Sequence, residues 1–264
     1  MTTRPKKERT FVYDPTVMIS PNIDKLKGII GVQGLIGAGK TEVLTQLKNR
    51  YPSFRGTNIL YLPEPSDIWT RDQRFPEEYG ISDREPLPNY LKLFYKETHT
   101  YAFPFQVYAY CTRTGTIHEA IREIVLANEP TIIVSERGLE SDKHVFTKNL
   151  IETGVFPLEL VPIYDMFWNM LAKPIVQHNK AFIHLNVEVE TCVQRMNKRN
   201  RSQEKAIPES YLRQLDNMHT KMYDYYSKIP VFNIDWNGDK DDPVVRQNLY
   251  TNFEHMLLNT FFSA

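Results

Sequence analysis

Cysteine is scarce in this chain of 264 residues: Cys111 and Cys192 are the only two. A single pair in a chain this long makes no disulfide framework, so a reducing compartment is expected, with the cytoplasm as default. Excess charge is also missing. Lys plus Arg number 32 and Asp plus Glu number 32, so the formal net charge is zero. That balance argues against a generic polyanion-binding surface, and nucleic acid is set aside as a partner; a local basic site stays open. No apolar run is long enough to span a bilayer, which sets a membrane aside too. The first residues hold no apolar signal-peptide core. They hold Arg4-Pro5-Lys6-Lys7-Glu8-Arg9 instead. This basic cluster reads as a solvated tail, with a nuclear address as the alternative. Pro5, Pro15 and Pro21 break any regular element in residues 1–26, which read as an irregular N-terminal extension. Residues 27–264 contain no linker or internal repeat and read as a single domain.

What is present is more telling. Gly34-Leu35-Ile36-Gly37-Ala38-Gly39-Lys40-Thr41 fits the pattern G-x-x-x-x-G-K-[ST]. Gly28–Val32, before it, is an apolar run that reads as a buried parallel strand. After it, Val43, Leu44 and Leu47 recur at helical spacing. Strand, glycine loop and helix form the context this motif requires. Glycines let backbone N–H groups turn toward a triphosphate without a Cβ in the way. The helix N-terminus adds a positive partial charge and Lys40 a full one, while the Thr41 hydroxyl is placed for Mg²⁺. The chain is therefore expected to bind a nucleoside triphosphate.

Further strands are expected at Thr57–Leu62, Thr131–Val134, Ala181–Leu185 and Val231–Asp235. Helices are expected over Phe105–Ala127, Pro157–Met170, Val187–Arg199, Tyr211–Tyr226 and Pro243–Leu258. Ser66 to Asn89, rich in charge, Pro and Gly, reads as a surface excursion. The alternation predicts an α/β fold of the P-loop NTPase type in three layers: a five-stranded parallel sheet, helices on both faces, and a basic lid.

In an open parallel sheet, ligands sit beyond the carboxyl ends of the strands. The second strand delivers Glu64 there, and the third delivers Glu136 and Arg137. Phosphoryl transfer to a hydroxyl needs a phosphate clamp, a metal, a base and cations on the equatorial oxygens. Glu64 is placed to be the base, Glu136 to hold Mg²⁺, and Arg137 to hold the acceptor oxygen. By position alone, each is equally well a polar strand end or a strand-end ion pair. Arg195-Met196-Asn197-Lys198-Arg199-Asn200-Arg201 puts Arg195 and Arg199 at i, i+4 spacing, with Pro208 following. A basic helix end and loop suit a lid over phosphates; a nucleic-acid patch or a solvated face is the alternative.

In this order, these residues resemble the deoxynucleoside kinases, in the group of deoxycytidine, deoxyguanosine and insect-type enzymes. The resemblance runs from about Lys27 to near the C-terminus. It rests on the P-loop, Pro63-Glu64-Pro65, Trp69, Tyr95, Phe105-Gln106, Ala109, Arg113, Glu136 through Asp142, and Arg195 through Glu204 with Ile207-Pro208. It implies ATP as donor, Mg²⁺ as cofactor, a deoxynucleoside as acceptor and a homodimer. Glu64 would then be the base for the 5′-hydroxyl, and Arg137 would hold the 5′ oxygen and the transferring phosphate, with Lys40 on the donor. Gly34, Gly37, Ala38, Gly39, Lys40 and Thr41 would cradle the donor, and Thr41 and Glu136 would serve Mg²⁺. Tyr95 and Glu204 would bind the 3′-hydroxyl. Gln106 would read the base edge between Phe105 and Trp69, beside Ala109. Arg195, Arg199 and Arg201 would form the lid, and Asp235 and Asn237 would shape the donor-base pocket. The chain departs from the family pattern at Gly138 (usually Ser), Lys143 (usually Arg) and Gln203 (usually an acid).

Members acting on cytosine or purine nucleosides carry Arg and Asp at the positions of Arg113 and Asp142, and thymidine-preferring members have apolar residues there. A buried Arg–Asp pair fills the space thymine's methyl would need, so thymidine is expected to be poor; the alternative is a pair that only supports the helix and the third strand. The alternative within enzymes is a nucleoside monophosphate kinase of thymidylate-kinase type. A GTP-dependent switch is disfavoured, because Asn197-Lys198-Arg199-Asn200 fails the N-K-x-D pattern at its fourth position. A catalytically silent relative would have lost Lys40, Glu64, Glu136 or Arg137.

Overall fold

A computed structural model describes residues 15–70, 89–201, 204 and 207–263. The basic cluster at 4–9, most of the 66–89 excursion and Gln203 lie outside the described residues. Two short 3₁₀ turns, Pro15–Ile19 and Pro21–Lys25, lead into β1, Leu26–Gln33. The other strands are β2 (Ser53–Phe54), β3 (Thr57–Leu62), β4 (Thr131–Glu136), β5 (Asn179–Asn186) and β6 (Val231–Asp235). They form one sheet in the order β2-β3-β4-β1-β5-β6.

The five expected strands are all present and pair in parallel. The sheet nevertheless has six strands rather than five. Ser53–Phe54 adds antiparallel to the edge at β3, with Phe54 opposite Thr57. A two-residue strand carries no period-2 pattern, so nothing in its sequence marks it. β1 lies at the centre, with β4 on one side and β5 on the other. Strand order reverses across it, which opens a crevice at its carboxyl end.

The inner strands explain their own burial. Ile30, Val32, Ile132, Ile133, Val134, Phe182 and Ile183 are wholly buried. Each such side chain contributes about 1.5–3 kcal/mol on leaving water. One face packs on α1 (Lys40–Arg50), α9 (Val189–Arg199), α10 (Glu209–Tyr225) and α11 (Pro243–Phe261). The other meets α4, Thr98–Ala127, through Tyr110, Ile117, Ile121 and Ile124. α4 begins seven residues before the expected helix and carries Pro104 inside it. That proline lacks the amide that would reach the Thr100 carbonyl, one residue before Phe105. Asn128, left-handed at φ 55°, ends the helix at the expected stop.

Shorter helices complete the frame: α2 (Ser66–Thr70), α3 (Tyr90–Lys96), α5 (Leu139–Ser141) and α6 (Lys148–Glu152). A wide π turn, Asp142–Thr147, joins α5 to α6. The single helix expected over Pro157–Met170 is composite: a 3₁₀ turn, α7 (Val161–Phe167), a second π turn at Trp168–Ala172, and α8 (Lys173–Val176).

Candidate active site

The loop after β1 closes tightly. Gly37 (φ 86°) and Gly39 (φ 93°) are left-handed. A Cβ at Gly37 would lie 2.5 Å from the Cys192 carbonyl, and one at Gly39 would lie 2.9 Å from Trp236 Nε1. Only glycine meets both demands. Lys40, buried at the start of α1, folds back and donates to the Gly34 and Leu35 carbonyls at 3.2 and 2.8 Å. Burial, and then the nearby Arg137, pull its ammonium down to about 7, against the opposing pull of Glu136 and Glu64.

Two strand ends meet beside this loop, those of β3 and β4. Thr41 Oγ1 donates to both oxygens of Glu136, at 2.8 and 3.1 Å. Glu136 is buried and makes no ion pair among the described residues. Glu64 receives Arg113 NH2 at 2.9 Å and Arg137 Nε at 3.1 Å, both on Oε1. No hydrogen bond falls on its Oε2 among the described residues. Burial alone would raise the Glu64 carboxyl, but Arg137, Arg113 and Lys40 outweigh it and hold it at about 2. Arg137 also donates to the Gly34 carbonyl at 3.0 Å and lies 4.8 Å over the Phe146 ring. Its own backbone is left-handed, at φ 62°, where the chain turns off β4. Such a conformation in a non-glycine residue costs of order 1–3 kcal/mol and clusters at functional sites.

Arg113 projects from α4 into the same centre. Its donors reach Asp142 Oδ2 (2.9 Å), the Glu136 carbonyl (2.8 Å) and Glu64 Oε1 (2.9 Å). Burial would lower this guanidinium's pKa; Asp142 and Glu64 reverse that and raise it. Phe105, Gln106, Ala109 and Arg113 form one buried stripe of α4. Trp69 stands edge-on to Phe105 at 5.9 Å and is fixed by Nε1–H to Thr112 Oγ1 at 2.8 Å. Gln106 accepts from Thr147 at 3.4 Å.

These groups line one cleft of about 430 Å³. The P-loop's Gly37, Gly39, Lys40 and Thr41 stand at one end, and Trp69, Tyr95, Phe105, Gln106 and Ala109 at the other. Glu64, Arg113, Glu136, Arg137 and Asp142 lie between them. Arg199, Arg201 and Glu204 also border the cleft. Glu204 is held by Arg199 through both oxygens at 2.7 Å, and Arg201 lies 3.5 Å away.

The remaining expected residues fall outside the lining. Gly34 and Ala38 contribute carbonyls to Lys40, Arg137 and Arg195 rather than a wall. Arg195 does not face the cleft. It donates to the carbonyls of Ala38, Trp236, Asn237 and Gly238, at 2.8–3.2 Å. Asp235 accepts from the backbone and side chain of Asn237, and Asn237 Oδ1 receives the Glu188 amide. The four form a brace between the P-loop, α9 and the turn after β6.

The structure also accounts for two departures from the family pattern. Lys143 pairs with Asp165 of α7 at 2.7 Å and lies over Trp168, away from the cleft. A Cβ at Gly138 would meet Glu140 Oε2, so the small residue there makes room for that buried acid. The sequence reading missed Phe94, Phe146 and Tyr211 as cleft walls. Phe94 stacks on Phe105 at 4.9 Å. Phe146 follows Asp142 by four residues, a spacing that would have flagged it.

The donor set suits a hard cation. Glu136 and Thr41 offer oxygens beside the phosphate loop, and Mg²⁺ is bound by one or two carboxylates together with substrate phosphates. Among the described residues no cluster of three or more acidic, His or Cys side chains forms a cage independent of a nucleotide. No helix among them is long and apolar enough to cross a membrane.

Known proteins match this sequence along most of its length. The deoxynucleoside kinase family profile matches residues 30–258. A mouse deoxycytidine kinase is 26% identical over 255 residues, covering 92% of this chain and 94% of its own. A mitochondrial deoxyguanosine kinase from Xenopus laevis is 24% identical, with 90% and 88% covered. A probable deoxycytidine kinase of fowlpox virus is 27% identical, with 83% of each covered. The match spans the phosphate loop, the carboxylate–arginine centre and the basic helix end alike, and the chain belongs to the deoxynucleoside kinase family.

Proposed function

We propose that this deoxynucleoside kinase prefers deoxycytidine and the purine deoxynucleosides to thymidine. The family's reaction moves a phosphate from ATP to the 5′-hydroxyl of a deoxynucleoside, a step of nucleotide salvage. The observation that carries the preference is the buried Arg113, tied to Asp142, Glu64 and the Glu136 carbonyl beside Gln106. A guanidinium so held cannot withdraw to admit a methyl group, and it offers polar atoms to an amino or keto edge. The names of the relatives, deoxycytidine and deoxyguanosine kinases, support the same reading.

Lys40 and the loop amides would hold the donor phosphates, and Arg137 would neutralise charge on the transferring group. Glu64 Oε2 would take the 5′ proton. A carboxylate held near 2 is a weak base, which suits a loose transition state in which the proton leaves late. Tyr95 and Glu204 would orient the sugar, with Arg199 and Arg201 closing over the phosphates. Mg²⁺, held by Thr41 and Glu136, would supply charge neutralisation between the donor phosphates. We further read residues 27–264 as one catalytic domain and the working molecule as a homodimer. Exposed Leu158, Ile163, Met166 and Met170, on and beside α7, form an apolar face suited to a second copy. The test of the preference is a substrate panel with ATP, Mg²⁺ and each deoxynucleoside. Thymidine as best substrate would overturn it. Phosphorylation of dCMP or dTMP but of no nucleoside would favour the monophosphate-kinase alternative.

A further inference from the structure

A second cavity lies behind the acceptor end of the cleft. It is an open pocket of about 330 Å³, in the lower range of small-molecule sites. Phe94, Tyr95 and Tyr211 wall both spaces. Its far side comes from α6 and the start of α10, with Asn149, Ile207 and Pro208. No Lys, Arg, Asp, Glu or His stands among its described lining residues. Nothing in that lining would pair with a charge, so the part of a ligand seated there is neutral. Asn149 is 2% exposed. Its backbone carbonyl takes the Thr153 hydroxyl at 2.8 Å, while its side-chain amide makes no hydrogen bond among the described residues. Its polar atoms stay open to solvent in the cavity, and one donor beside one acceptor is the pattern that Asn meets on the edge of a nucleobase. Aromatic walls supply the matching faces.

We propose that this cavity binds a neutral, flat heteroaromatic molecule of nucleobase type, held by Asn149 and packed on Tyr95 and Tyr211. Because those rings also wall the main cleft, occupancy changes the KM for the deoxynucleoside more than that for ATP. The test begins with the full chain saturated by ADP and by the best nucleoside of the panel, so that the main cleft is filled. Free adenine and free cytosine are then titrated into wild type, Asn149→Leu and Thr153→Trp, with calorimetry as the readout. Thr153 lines the cavity yet is exposed, so tryptophan there fills the space without disturbing the core. Saturable binding of at least one base to wild type is expected, weakened about tenfold or more in both variants. Turnover by Thr153→Trp without added base should match wild type. Absence of saturable binding to the filled wild type, or undiminished binding to Thr153→Trp, would overturn the proposal. Should Asn149→Leu not fold, Thr153→Trp decides alone. A wrong assignment of the preferred nucleoside changes only which nucleoside fills the cleft, so the two failures are distinct.

Discussion

Raising the pH should weaken donor binding through Lys40. Its ammonium is buried, faces Arg137 and titrates at about 7. A bound triphosphate favours the charged form, so above that pH each binding event must first restore a proton. With a pKa of about 7, about a quarter of the molecules carry the charge at pH 7.5 and about 3% at pH 8.5. Affinity should therefore fall about eightfold across that unit, equivalent to about 1.2 kcal/mol. The range lies above the phosphate's own ionisation, which would otherwise act in the opposite direction. Calorimetry with a non-hydrolysable ATP analogue and Mg²⁺, repeated in buffers of different ionisation heat, counts the protons. Close to one should be taken up per molecule bound near pH 8. Lys40→Arg, charged throughout, should flatten the profile. Constant affinity with no proton uptake in wild type would refute the reasoning, because the ammonium would then survive its burial.

Three other variants probe the centre and its support. Glu64→Gln should lower kcat by about two to four orders of magnitude with little change in ATP binding, measured by steady-state kinetics and calorimetry; an unchanged kcat would remove Glu64 as the base. Arg113→Met with Asp142→Ala should raise thymidine use relative to deoxycytidine in kcat/KM, while lowering absolute turnover because Glu64 loses one of its two cations. No relative gain would leave the pair without a role in selection. Burial holds the Glu140 carboxyl up at about 7, against the amide of Asn179 at 2.6 Å. The folded chain thus binds that proton more tightly than the unfolded one. Its stabilising effect is complete below about pH 4.5 and is lost as pH rises to about 7, a change of about 3 kcal/mol. Glu140→Gln should flatten that part of the pH–stability curve in urea unfolding.

Much of the centre was legible because its residues directly follow apolar runs. Glu64, Glu136 and Arg137 are polar residues at or just past the ends of strands whose burial needs no partner to be recognised. The P-loop is similarly local: its glycines answer to backbone angles that short-range sequence reveals. The stripe from Phe105 to Arg113 was readable through the family resemblance, but not its threefold anchoring, which depends on β3, β4 and the π turn meeting α4. Arg195 and Arg199 share a helical face in sequence yet part company in the fold. One spends its donors on carbonyls and the other on Glu204, because the turn after β6 reaches only the first. The π turns and the proline within α4 were likewise hidden, since the surrounding packing tolerates a departure that local propensity disfavours.

Arg195 has a consequence for donor selection. By clasping Ala38 and three carbonyls of residues 236–238, it fixes the span between the P-loop and the turn after β6. The two behave as marks on a ruler. If the base of the donor rests on that turn, a nucleotide is judged by its length from base to terminal phosphate as well as by its base. Diphosphates and tetraphosphates would then be mis-set by one phosphate even where every contact with the base is kept.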